Sequence, residues 1–217
     1  SLPRLDIPGK VSGGAAFVQD IRLPGMLHAR VIRPPRPGCT LDAIDIESIK
    51  ALSGVVQVIR DGNYLAVVAR DEWQAIKAMR HGYASARWSG GQAIPESRDI
   101  HALLKRLPSR RYPISHEGTP QGATDNEYRA RVTKQYLMHG SIGPSCAVAW
   151  FKDGTLTVWT HTQGVYPLRA GIAEMLRLPP ERVRCIHTEG SGCYGHNGAD
   201  DAAADAALIA MRVPGTP

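Results

Sequence analysis

Four glycines, at positions 190, 192, 195 and 198 of the stretch 188–201, constrain this chain more than any other feature. The apolar run 183–186 precedes them and reads as a strand. The alanine-rich run 199–213 follows and reads as a helix. A strand, a glycine turn and a helix make a place where backbone N–H groups can face an anion. Glycine also permits close approach and positive φ. Gly190, Gly192 and Gly195 spell G-x-G-x-x-G, the pattern of a dinucleotide site. That site needs a following strand with an acidic residue about 20 positions on, and none lies within these residues. Asp200 and Asp201 suit the helix dipole but would repel a pyrophosphate there. On the motif alone, a tight turn between packed elements stands beside a ligand site.

At 217 residues, 43% hydrophobic and 21% charged, the chain has enough apolar side chains for one or two ordinary cores. It has no run of about 18 apolar residues, so no transmembrane helix is expected, and no signal peptide is visible. It starts at Ser1 without a methionine and reads as an internal piece of a longer protein. The net charge of +6 is dispersed, and the one tight group, Arg106, Arg110 and Arg111, falls in a loop-like segment. Nucleic acid is therefore not an expected partner. Cys39, Cys146, Cys185 and Cys193 form no C-x-x-C pair, which excludes the common zinc and dithiol motifs; Cys146 and Cys185 sit in apolar strand patterns as core residues. No Ser-His-Asp set or carboxylate pair follows from the spacing.

Two blocks of strand and helix patterns flank an aperiodic stretch, so the expected fold class is α+β. In the first block, 10–88, residues 27–32 alternate as a half-buried strand. Residues 55–60 and 64–69 form a hairpin around Asp61-Gly62-Asn63. Asp71 with Gln74 begins a helix as a capping box, and Gly82 ends it. A strand at 83–88 closes the block. Residues 89–126 read as a surface connection with one short helix, 99–107. In the last block, 127–217, strands at 145–150 and 155–160 flank a hairpin turn at 151–154. A helix follows from 165, ended by Pro179 and Pro180, then a strand at 182–187, the glycine loop and the last helix. That helix carries Ala202, Ala203, Ala204, Ala206 and Ala207, so another element can pack very close to it.

The strings GSIGPSCAVA (140–149), GTLTVWTHTQGVYPLR (154–169) and GSGCYGHNGADD (190–201) resemble the start of the molybdenum-cofactor-binding part of the molybdenum hydroxylases. This family includes xanthine dehydrogenase, aldehyde oxidase, isoquinoline 1-oxidoreductase and nicotinate dehydrogenase. GGAAFVQDIRLPGMLH (13–28), LAVVA (65–69) and EWQA (72–75) resemble the family's α/β hammerhead domain, which precedes it. The resemblance implies a hammerhead domain at 10–88, a linker at 89–126 and the first part of a molybdopterin-binding domain at 127–217. The loop wording is nearer the nicotinate and isoquinoline type.

The resemblance further implies a large subunit that oxidises an aldehyde or N-heterocycle with water-derived oxygen at a molybdopterin-bound molybdenum. Electrons would pass to the [2Fe-2S] centres of a small subunit and on to a cytochrome or flavin acceptor. Gln163 would contact an oxygen ligand of the metal, and Gly192, Cys193, Tyr194, Gly195 and His196 would lie along the cofactor. No side chain here is expected to ligate the metal. The family's loop is commonly GGFGGK. Here Cys193-Tyr194 and His196-Asn197 stand where it has Gly-Phe and Gly-Lys, and Ile142-Gly143-Pro144 stands where many relatives have Met-Glu-Pro. The general-base glutamate is expected far downstream, so this stretch alone should be inactive, hold the cofactor weakly or not at all, and leave apolar surface that favours self-association. Two other functions remain open: a non-catalytic scaffold of the same fold, and a dinucleotide domain using the Gly190–Gly195 loop.

Residue physics leaves alternatives at single positions. Gln163 could cap its turn instead of contacting a metal. His161 and His187 read as satisfied core histidines. His139 and Ser141 have no partner by spacing. Arg169 reads as a solvated helix residue rather than a phosphate ligand.

Overall fold

The computed structural model describes residues 2–115, 117–118, 128–197 and 201–217, with Ser97 and Asp201 described by their backbone alone. The elements in chain order are α1 (Ile7–Val11), β1 (His28–Val31), β2 (Cys39–Ala43), α2 (Ile46–Lys50), β3 (Val55–Asp61), β4 (Tyr64–Ala69), α3 (Glu72–Ser85), β5 (Arg87–Gly90), α4 (Ile100–Arg106), β6 (Ala147–Lys152), β7 (Thr155–Thr160), α5 (Val165–Leu176), β8 (Val183–His187) and α6 (Asp201–Arg212). The fold is mixed α+β. Chain contacts gather residues 1–91 and 139–217 into one unit and 92–138 into another. The second unit contains a 3-10 turn (Ser97–Asp99) and α4.

In the first unit, β3 and β4 pair antiparallel around the Gly62 turn, and β1 joins the other edge of β4. Residues Leu65 to Ala69 are fully buried, because α3 covers one face of this sheet and Ile209 of α6 contacts the other through Ile59, Ala66 and Val68. The Asp71 carboxylate caps α3 by accepting the Gln74 N–H at 2.8 Å. The reciprocal half of the capping box is missing: the Gln74 side chain fills the space where a Gly54 Cβ would stand.

Two expectations here need correction. Gly82 does not end α3, which runs on to Ser85. It is buried, and a Cβ there would fall 2.4 Å from Ile32 Cδ1, so its role is close packing. The closing strand accordingly starts at Arg87, not at 83, and pairs antiparallel with β2, a strand the Pro-rich approach at 34–37 obscured.

β6 and β7 form a hairpin whose turn is Asp153-Gly154, both with positive φ (51° and 73°). Strand β6 therefore extends through Lys152, beyond the expected loop start at Phe151. Helix α5 ends at Arg177 in the left-handed region (φ 55°), before Pro179. It carries the chain across to β8, which pairs parallel to β7. Ala203, Ala207 and Ala210 of α6 pack on Ala149, Leu156 and Val158 of this sheet. Small side chains let α6 sit close to this sheet, while Ile209 on another face reaches the β1-β4-β3 sheet. Gly198, Ala199 and Asp200, the end of the glycine stretch, lie outside the described residues, as do 119–127 at the end of the expected connection.

Candidate cofactor site

Parallel strands β7 and β8 end side by side, and the polar segment 161–164 and the glycine loop leave from those ends. This topology brings Gln163 and the loop together. The Gln163 N–H donates to the Asn197 carbonyl at 3.3 Å. Its side chain is exposed and makes no hydrogen bond among the described residues. The turn is capped instead by Thr162, whose Oγ1 accepts the Gly164 N–H at 3.2 Å. The capping alternative for Gln163 therefore falls to its neighbour, and the Gln163 amide is left facing outward.

In the loop, Gly192 (φ 120°) and Gly195 (φ 96°) adopt backbone conformations that side chains disfavour. Cys193, Tyr194, Gly195 and His196 are exposed. Backbone N–H groups of Asn197, then Gly195 and His196, hold the Cys193 thiol below its ordinary pKa. Gly190 serves a different purpose: a Cβ there would fall 2.5 Å from Cγ of His161. The first glycine of the apparent dinucleotide motif is thus spent on a histidine ring, not on a ligand.

A second loop, 139–146, lies against the first. Ser141 Oγ donates to the Gly192 carbonyl at 3.0 Å, and Ser191 Oγ donates to the Gly143 carbonyl at 2.8 Å. The His139 and His196 rings stand 5.4 Å apart. These partners of His139 and Ser141 are separated in sequence by about fifty positions, so spacing could not show them.

His161 is 4% exposed and satisfied: its Nε2 accepts the Cys146 N–H at 3.1 Å. His187 differs from the core reading. It is exposed, with Nδ1 3.1 Å from the Thr162 carbonyl oxygen. Arg169 also differs: Nε donates to the carbonyls of Pro180 at 2.9 Å and Val183 at 2.8 Å, so it ties α5 to the start of β8 instead of standing in solvent. Sequence reasoning gave Asn197 no role, yet it is 3% exposed and bonds Gln163, Thr162 and His161. An Asn next to a glycine loop was its only signal. No cluster of three or more metal-ligating side chains exists among the described residues.

A cleft of about 450 Å³ lies elsewhere, lined by β1, β6 and α6 residues such as Ala29, Ala147, Ala206 and Ile209. It includes neither Gln163 nor the 192–196 loop, so volume and donor chemistry point to different places. Outward amides and positive-φ glycines favour the loop.

Residues 110–217 match the molybdopterin cofactor-binding domain family. The chain is 40% identical over 225 residues to a nicotinate dehydrogenase component of Pseudomonas putida, covering 98% of this chain and 19% of that protein. The chain belongs to the molybdenum hydroxylase family. Another relative, the nicotinate dehydrogenase large molybdopterin subunit of Eubacterium barkeri, is 26% identical over 88% of this chain and 53% of its own length. Among solved structures, quinoline 2-oxidoreductase of Pseudomonas putida superposes with a TM-score of 0.74 at 17% identity, over 98% of this chain and 33% of that one. It shares the fold. The chain thus spans about a fifth of the length of its P. putida nicotinate dehydrogenase relative. No helix among the described residues is long and apolar enough to cross a membrane.

Proposed function

We propose that this chain supplies one wall of the molybdenum site in a hydroxylase that oxidises an N-heterocycle of the nicotinate kind. The observation that carries the proposal is the exposed Gln163 side-chain amide, without a hydrogen bond among the described residues, beside a loop whose two glycines hold positive φ. The residues fit a pterin cofactor. The loop offers backbone along Gly192, Cys193, Tyr194, Gly195 and His196, and none of these side chains is a carboxylate that would repel an anionic group. Gln163 would donate a hydrogen bond to an oxygen ligand of the metal. A neutral amide stabilises charge there without delivering a proton. When bound, the molybdenum cofactor supplies the two-electron oxidation of a C–H bond. Residues 10–88 would form the hammerhead domain, 89–126 the linker and 127–217 the beginning of the cofactor domain. A [2Fe-2S] subunit and a cytochrome or flavin acceptor would be the partners.

The test uses the full-length protein from a host that makes the cofactor. It should contain stoichiometric molybdenum and pterin and hydroxylate nicotinate-like rings. Gln163→Ala should keep the metal while kcat falls roughly 10²–10³-fold, as for loss of a preorganised donor. A metal-free wild-type protein, or unchanged turnover in Gln163→Ala, would refute the reading.

A further inference from the structure

We propose that Asn197, clamped on His161, is the positioning residue that sets Gln163 against the 192–196 loop. The inference rests on the cofactor reading above and identifies what holds the two halves of that site in register.

Both residues are deeply buried, 3% and 4% exposed, where unsatisfied polar groups are costly. Nδ2 of Asn197 donates to the His161 carbonyl at 2.9 Å and also meets His161 Nδ1. The Asn197 carbonyl accepts the Gln163 N–H at 3.3 Å and Thr162 Oγ1 at 3.4 Å. One residue therefore grips three successive residues at the end of β7. The grip on Gln163 is through its backbone, so the side chain stays available.

The imidazole completes the device. Its Nε2 accepts the Cys146 N–H, which fastens the neighbouring 139–146 loop. Its ring lies where a Gly190 Cβ would have to be. The loop thus starts at Gly190 and ends at Asn197 against the same ring, and Gln163 lies two residues beyond that ring. Asn197 and the His161 ring together set the distance between Gln163 and the loop. The role needs a short amide at 197, a ring with an acceptor nitrogen at 161 and no side chain at 190; each requirement is met.

Hydrogen exchange on the 217-residue chain tests the clamp without any cofactor. Asn197→Ala keeps the backbone carbonyl that accepts the Gln163 N–H but releases it from the side-chain clamp on His161, so exchange at the Gln163 backbone amide should rise about tenfold as that bond loses its fixed geometry. His161→Phe keeps the ring volume and should raise exchange at the Cys146 amide similarly. The Leu156 and Val158 amides in β7 should not change in either. Should Asn197→Ala not fold, Thr162→Val removes the hydroxyl's bonds to the Asn197 carbonyl and to the Gly164 N–H and should loosen Gln163 to a smaller degree. Unchanged Gln163 exchange in folded variants, or a uniform rise through β7 and β8, would overturn the proposal; the latter is what mere core support would give. In the cofactor-loaded full-length enzyme, Asn197→Ala should lower kcat with KM and molybdenum content kept. A wild-type enzyme without molybdenum would end the cofactor reading, while the exchange result would still decide whether Asn197 holds Gln163.

Discussion

Exposure and backbone geometry, not residue type, separate the four cysteines. Cys39 is buried, Cys185 is half-buried with its thiol pKa raised by burial, and Cys146 is half-buried in the segment against His161. Cys193 is exposed and its thiolate is stabilised by converging N–H groups. A lowered pKa means that the thiolate is present below the pH at which an ordinary cysteine ionises, about 8.5. As pH falls from alkaline values, Cys193 should retain reactivity longest. Iodoacetamide labelling followed by peptide mass spectrometry should find Cys193 modified first, with its rate midpoint shifted to lower pH than that of a free thiol. Equal labelling of Cys185 and Cys193 would contradict this account. The prediction holds for the cofactor-free chain, in which the loop faces solvent.

At the scale of elements, two helix glycines with identical propensity should behave oppositely. Gly171 in α5 is exposed and a Cβ there would meet nothing within 4 Å. Gly171→Ala should stabilise the protein by roughly 0.5–1 kcal/mol through reduced unfolded-state entropy. Gly82 in α3 has Ile32 Cδ1 at 2.4 Å and Ile49 Cδ1 at 3.1 Å from its would-be Cβ, both in a packed core. Gly82→Ala gains the same propensity but overpacks, at a cost of about 1–3 kcal/mol, so the net change should be a loss of about 1 kcal/mol. Urea midpoints of the two variants should move in opposite directions. The same pair shows where a sequence can be read. Local chemistry was legible: Asp71 caps its helix, both hairpins form, and the order of strands and helices from 55 onward follows from periodicity. Gly82 looked like a helix stop because its meaning lies in Ile32 and Ile49, far away in sequence. Strand β2 escaped because its partner, β5, lies about fifty positions on. At the candidate site, positive φ at the loop glycines was legible from turn chemistry, whereas the role expected of Gln163 came from the family resemblance alone. Asn197, Ser141 and Ser191 were not legible, since their partners come from other loops.

The alanine content of α6 takes its meaning only at the scale of the whole unit. Ala203 and Ala207 are fully buried and Ala210 nearly so, against the β6-β7-β8 sheet. Ile209, on another face, packs with Ile59, Ala66 and Val68 of the β1-β4-β3 sheet. Backbone bonds link the same two blocks: Val18 N–H to the Glu189 carbonyl at 2.7 Å, Leu27 N–H to the Pro217 carbonyl at 2.8 Å. Arg33–Asp205 and Arg212–Asp61 ion pairs join α6 to the first block, though exposed pairs add little, on the order of 0–1 kcal/mol each. Most of the coupling must then come from apolar contact through α6. A helix wedged between two sheets cannot move away from one without pressing on the other. Ala207→Leu adds three carbons in a fully packed place, which should cost about 1–3 kcal/mol. Because α6 is shared, that loss should appear in both sheets. Hydrogen exchange should rise by a similar factor at Leu65–Ala69 in β4 and at Leu156–Val158 in β7. If only the β7 amides respond, α6 belongs energetically to one sheet, and the two blocks fold independently despite their contacts.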